Sequence, residues 1–126
     1  MNQSNFDFSV VFRQRTKAFA LRVMKLTDQL PASPAGRTVS HQLVRAASSV
    51  AANYRAVCRA RSGREFAAKL HIALEEADEA VFWLEMADEG ELVGVGRLTD
   101  LLSEANEILA VLSKAEKTAR ERNQRT

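Results

Sequence analysis

An all-α fold, an antiparallel up-and-down four-helix bundle, is predicted by three observations. Apolar residues recur at spacings of three and four in four separate segments, the periodicity that gathers them on one face of a helix. Short connections carrying proline, serine or glycine separate the segments, and helices joined in that way pack as antiparallel neighbours. No stretch alternates apolar and polar residues with the period of two that marks a strand. Residues 1–126 are expected to form one domain, because a chain of this length buries most of the apolar surface its unfolded form exposes. A composition 46% apolar and 27% charged is that of a folded chain rather than a disordered one.

The first helix is expected over about residues 8–29, with Phe8, Phe12, Phe19, Val23, Leu26 and Leu30 sharing a face, and Pro31 and Pro34 ending it. Ser33 followed by Pro34 then caps and opens a second helix over about 35–60. Its inner stripe is Val39, Leu43, Ala46, Val50 and Val57, and its many alanines let neighbours approach closely. The third helix, about 63–88, starts at the capping box Ser62-Gly-Arg-Glu65, carries Phe66, Leu70, Ala73, Leu74, Ala77, Val81 and Leu84 inward, and stops at Gly90. Gly94-Val-Gly96 lacks a preceding strand and is read as the connection into the last helix. That helix, about 95–118, shows the single stripe Leu98, Leu101, Leu102, Ala105, Ile108, Leu109, Leu112 and Ala115, and residues 119–126 are expected to fray as a polar tail. Helices of this length make a bundle about 35 Å long, at ~1.5 Å per residue.

Neither a secretion signal nor an apolar run long enough to span a bilayer is present in the sequence, so a cytoplasmic location is expected and no membrane contact. The lone Cys58 agrees with a reducing compartment. The net charge of +2 falls far short of a nucleic-acid coat, but its distribution is uneven. Arg55, Arg59, Arg61, Arg64 and Lys69 stand against Glu65 alone, whereas the segment from Glu75 to Glu91 holds acids and no base.

On the second helix Arg37, His41, Arg45, Ser48, Ala52, Arg55 and Arg59 follow at spacings of three and four and share one face. Regularly spaced guanidinium groups on a rigid helix suit successive phosphates, so Arg37, Arg45, Arg55, Arg59, Arg61 and Arg64 are the candidate nucleic-acid contacts. The alternative is a solvated face, or pairing with Glu76 and Glu79 of the third helix in the same or a neighbouring subunit. Ile72, Trp83 and Met86, with Ala68, fall on the third helix away from its inner stripe, among Glu65, Glu76 and Glu79. Large apolar residues set among polar ones mark a protein interface, and these three are the candidate oligomer contacts. Val10, Leu21 and Met24 form a weaker outer stripe on the first helix.

Chemistry-bearing patterns are not found. Helix bundles that hold two metals place a glutamate three residues before a histidine, but Ala68 precedes His71 and Thr38 precedes His41 at that spacing. His71 and Glu75 are read as a surface pair rather than as metal ligands, and the carboxylates near Glu75 are spread around their helix. Cys58 lies among arginines but at the helix end whose dipole disfavours a thiolate, so an ordinary thiol is expected. No cofactor, no metal and no enzymatic activity are expected.

Gln42-Leu-Val-Arg-Ala-Ala-Ser-Ser-Val-Ala-Ala-Asn53, Arg61-Ser-Gly-Arg-Glu-Phe66 and Leu70-His-Ile-Ala73 leading to Glu79 resemble the bacterial four-helix bundle protein family. That family includes proteins encoded in intervening sequences of large-subunit ribosomal RNA genes and the accessory variability determinant of diversity-generating retroelements. The resemblance implies a homopentamer of four-helix subunits with no enzymatic activity, and for the retroelement members it implies binding of nucleic acid and a reverse transcriptase. Where family members commonly read Asn-Ile-Ala-Glu-Gly, this chain has Asn53-Tyr-Arg-Ala-Val57, so its second helix is expected to run on unbroken, and Asn53 to bond to a neighbouring helix. The function expected is a homo-oligomeric interaction module with RNA, a ribonucleoprotein or a nucleic-acid-processing protein as target. The alternative is a protein scaffold whose arginine stripe pairs with third-helix acids within the oligomer.

Overall fold

The computed structural model describes residues 3–125, with side chains from 7 to 124. They form four helices and no strand: α1 Gln3–Thr27, α2 Pro34–Cys58, α3 Gly63–Glu89 and α4 Thr99–Arg125. α1 packs on α2, α2 on α3 and α3 on α4, and α4 returns to α1 with the loosest approach of the four seams. The diagonal pairs α1/α3 and α2/α4 do not meet. Cross-helix contacts fix the directions. Phe12 meets Tyr54, Arg45 meets Glu76, His71 meets Glu116 and Arg15 meets Glu104. In the first three pairs residues far from the connecting turn face residues comparably far beyond it, and Arg15–Glu104 closes α4 on α1, which is the register of an antiparallel, up-and-down four-helix bundle.

The inner stripes converge on one core. Phe19, Leu43, Leu70, Leu84, Leu98, Ile108 and Leu112 are fully buried, and Ala46, Ala47, Ala73, Ala77 and Ala80 let α2 and α3 approach closely. α2 begins as its sequence predicts: Ser33 Oγ accepts from the Gly36 amide at 3.1 Å and Pro34 takes the first helical position. Gly36 is itself required, because a Cβ there would stand 1.9 Å from the Pro31 carbonyl oxygen as α1 turns into α2.

Several expectations are corrected. Phe8 is 52% and Phe66 37% exposed rather than on the inner stripes. Each lies near the start of its helix, and Phe8 stacks on Phe12. α1 starts before Phe8, at Gln3, where Gln3, Ser4 and Asn5 offer no apolar period from which the start could be read. α2 ends at Cys58 rather than near Ala60, with Arg59 as its cap. α4 starts later, at Thr99, and continues through the expected tail, because Ala119 is buried and the Asn123 side-chain amide donates to the Gly63 carbonyl at 3.2 Å. Only half of the predicted capping box forms. Ser62 Oγ accepts from the Glu65 amide at 3.1 Å, but the Glu65 carboxylate turns to Arg61, 3.8 Å away.

Gly90 does not supply the left-handed turn after α3. It keeps right-handed angles, and Glu91 takes φ 56°. Leu92 N–H bonds the Ala87 carbonyl at 3.0 Å and Glu91 N–H the Asp88 carbonyl at 3.1 Å, which together make a Schellman turn. The glycine serves by its lack of bulk, since a Cβ there would approach the Met86 carbonyl oxygen to 2.7 Å. No helix among the described residues is long and apolar enough to cross a membrane.

Candidate interaction surfaces

α2 turns its core stripe toward the other three helices, so the residues half a turn away face outward by helical geometry alone. Arg37, His41, Arg45, Ala52, Arg55 and Arg59 are all exposed on that outer face. The structure nevertheless divides the arginines into two groups. Arg37 donates to the Ala32 carbonyl and helps close the α1–α2 turn. Arg45 reaches α3, where Nη1 bonds Glu76 at 3.1 Å and Nη2 bonds Glu79. These two flank an open cleft of about 680 Å³ whose apolar wall includes Leu30, Pro31 and Val44 and whose rim holds His41. Bonding to Arg45 holds the Glu79 carboxyl below the usual carboxylate range and raises the guanidinium of Arg45 in turn.

The second group gathers at one end of the bundle. Arg55, Arg59 and Arg64 are exposed and bond to no carboxylate among the described residues, while Arg61 has only its long contact with Glu65. The antiparallel topology brings more cations to this end than the α2 sequence announced. Because Asn123 bonds the first turn of α3, Arg120 and Arg122 of α4 lie beside the α2–α3 turn, Arg120 bonded to Glu116 at 3.2 Å. Arg13 of α1 lies close enough to act on the Cys58 thiol and the Tyr54 hydroxyl. A tail expected to fray concealed Arg120 and Arg122; periodicity had no way to pair α1 with the end of α2.

Tyr54 marks the same end from inside. Its ring meets Phe12 edge-on at 4.7 Å, and burial pushes its hydroxyl up to about 12. Burial likewise pushes the Cys58 thiol up, against the pull of Arg13, so it is an ordinary thiol rather than a nucleophile. Asn53 bonds the Ser49 carbonyl at 2.9 Å and Ser49 Oγ at 3.0 Å on its own helix rather than reaching a neighbour. His71 Nε2 lies 3.1 Å from Glu75, the surface pair expected, and no group of three or more His, Cys, Asp or Glu among the described residues is placed to hold a metal.

On the outer face of α3, Ile72 is 40% and Met86 46% exposed. Trp83 is not the exposed residue expected of it. Its indole is half-buried against the core, packs edge-on to Phe82 at 4.9 Å, and directs Nε1 toward Glu79 at 3.4 Å. Phe82, at 49% exposure, takes the place assigned to the tryptophan. Sequence analysis missed it because at ~100° per residue it lies about 80° round from Ile72, toward the edge of the same outer face. On α1 Leu21 and Met24 are exposed as expected, with Val10 half-buried.

The family model of 23S rRNA-intervening sequence proteins matches residues 9–114, which take in all of α2 and α3 and most of α1 and α4. The chain belongs to that family. This intervening-sequence protein is also similar to a protein of unknown function from the S23 ribosomal protein family of Bacteroides thetaiotaomicron. That crystal structure aligns at a TM-score of 0.78 and 29% identity, covering 86% of this chain and 97% of its own. No curated protein matches. The family match stops short of Arg120 and Arg122, so the cations that α4 adds to the basic end lie outside it.

Proposed function

We propose that this protein is a non-enzymatic interaction module, one subunit of a homo-oligomer, that offers RNA or a ribonucleoprotein the basic end built around Arg55, Arg59, Arg61 and Arg64. The observation that carries the assembly is apolar surface left outside a filled core. Ile72, Phe82 and Met86 lie 40–49% exposed along one helix face while the core side chains beneath are sealed. Large exposed apolar side chains on one face, set among polar ones, mark interaction sites in soluble proteins. Five copies is the number the family resemblance carries. Met86→Glu, which leaves the core untouched, is expected to give a smaller particle by light scattering, and an unchanged mass would remove this face from the assembly.

The nucleic-acid arm is supported by Arg55, Arg59 and Arg64, whose guanidinium groups have no carboxylate partner among the described residues, the state in which they can take phosphate oxygens at no cost to the fold. Exchanging Arg55 and Arg59 for Glu is expected to abolish retention on an RNA column, and undiminished retention counts against these residues. The second reading, a protein scaffold whose arginines are satisfied by acids, is favoured by one contact, Arg45 with Glu76 and Glu79, already made within a single chain. Salt separates the two. RNA affinity falls steeply with ionic strength if arginines meet phosphates, whereas the assembly itself loosens if they bridge subunits.

A further inference from the structure

The outer faces of α1 and α3 carry matching patterns of opposite charge. On α3, Ala68, Ile72, Glu75, Glu79, Phe82, Met86 and Glu89 follow at alternating spacings of four and three, the repeat that keeps a seam of side chains on one line of a helix. Ala68, Ile72, Glu75, Phe82, Met86 and Glu89 on that line are exposed, and Glu79 is half-buried. On α1, Val10, Gln14, Lys17, Leu21 and Met24 follow at the same spacings, with Gln14, Lys17, Leu21 and Met24 exposed. Each seam sets charge between apolar residues: Glu75 and Glu79 stand between Ile72 and the pair Phe82 and Met86 on α3, and Lys17 stands between Val10 and the pair Leu21 and Met24 on α1. The surroundings agree: from Arg13 to Lys25 α1 has bases and no acid, and from Glu75 to Glu89 α3 has acids and no base.

We propose that the outer face of α3 in one copy docks on the outer face of α1 in the next, apolar ends together and Lys17 against Glu75 and Glu79. Three observations choose this occupant. Within one chain α1 and α3 stand diagonally, with no close approach of their backbones, so the two seams leave the subunit on different sides. A symmetric α3–α3 contact would bring together the exposed Glu75 side chains of two copies, which unlike Glu79 have no arginine of their own chain beside them, and an α1–α1 contact would oppose two Lys17 side chains; like charges brought together disfavour both. Lys17 has no carboxylate partner among the described residues of its own chain, and the Glu75 side chain is 67% exposed with only His71 beside it. A contact between two different faces repeats from copy to copy, and a closed ring follows where the rotation between copies permits it.

This inference rests on the self-association proposed above and names its second surface, so the test separates the two. Lys17→Glu and Glu75→Lys, each in the full chain with helicity checked by circular dichroism, are compared with the double exchange and with Met86→Glu by light scattering across a concentration series. Each single exchange is expected to weaken association at least about tenfold, and the double exchange to restore it. If Lys17→Glu assembles as the unaltered chain does while Met86→Glu falls apart, α3 is an interface but α1 is not its partner, and the inference is overturned. Failure of the double exchange to restore what both single ones lose overturns it as well. A single-chain mass for the unaltered protein at every concentration sinks both this pairing and the self-association beneath it.

Discussion

Arg15 and Glu104 are joined by two hydrogen bonds across the loosest seam of the bundle, Nε to Oε2 at 2.8 Å and Nη2 to Oε1 at 2.6 Å, with Glu107 taking a further contact from the same guanidinium at 2.9 Å. The planar fork of arginine fits a carboxylate at two points, which a lysine in its place could not do. Bonding to Arg15 holds the Glu104 carboxyl below its ordinary value. A carboxylate depressed in the folded state stabilises above its unfolded pKa, near ~4.3, and that contribution is lost as pH falls through the folded value. Arg15→Ala is expected to lower stability by about 1 kcal/mol at pH 7. The melting points of the unaltered protein and of Glu104→Gln should converge as the pH is taken below 4, and a gap that persists there would mean the pair is not ionic.

Gly36→Ala is expected to destabilise by about 1–3 kcal/mol, although alanine is the better helix former. The added carbon would collide with the Pro31 carbonyl, a backbone atom that cannot swing aside as a side chain can. Urea denaturation measures the loss, and a midpoint equal to the unaltered chain would show that the α1–α2 turn yields without cost.

Glu91→Gly should do the reverse. Glu91 holds the left-handed conformation that ends α3, a region that costs an L side chain about 1 kcal/mol or more and costs glycine nothing. A rise in melting temperature is expected, and a fall would mean the Glu91 side chain makes a compensating contact.

At the start of α3 the two halves of the capping box can be told apart. Ser62→Ala removes the bond to the Glu65 amide and should cost about 1 kcal/mol. Glu65→Gln should change stability by less than about 0.5 kcal/mol, because its carboxylate meets only exposed Arg61, at 3.8 Å. Equal losses from both would restore the reciprocal cap.

Trp83 separates packing from interface. Trp83→Ala removes a half-buried indole from the wall of the core and is expected to lower the melting temperature whatever the assembly does. Met86→Ala, at a more exposed position, should leave thermal stability of a dilute sample near its original value while weakening association. A melting temperature unaffected by Trp83→Ala would return the indole to the surface.

The alternation of apolar and polar residues at 3.6 per turn determined four helices, most of their inward residues and the serine starts of α2 and α3, because each depends on neighbours within a turn or two of chain. The arginine face of α2 was legible for the same reason. What those arginines meet was decided by tertiary structure. Arg45 finds Glu76 and Glu79 only because α2 and α3 run antiparallel at one register, whereas Arg55 and Arg59, on the same face, bond to no acid among the described residues. The continuation of α4 past Lys117 rests on Asn123 reaching Gly63, a contact between residues 60 positions apart. Trp83, expected on the surface, is half-buried and Phe82 beside it is exposed, because a side chain's exposure depends on how far the facing helix extends beside it, a distance that no local spacing encodes.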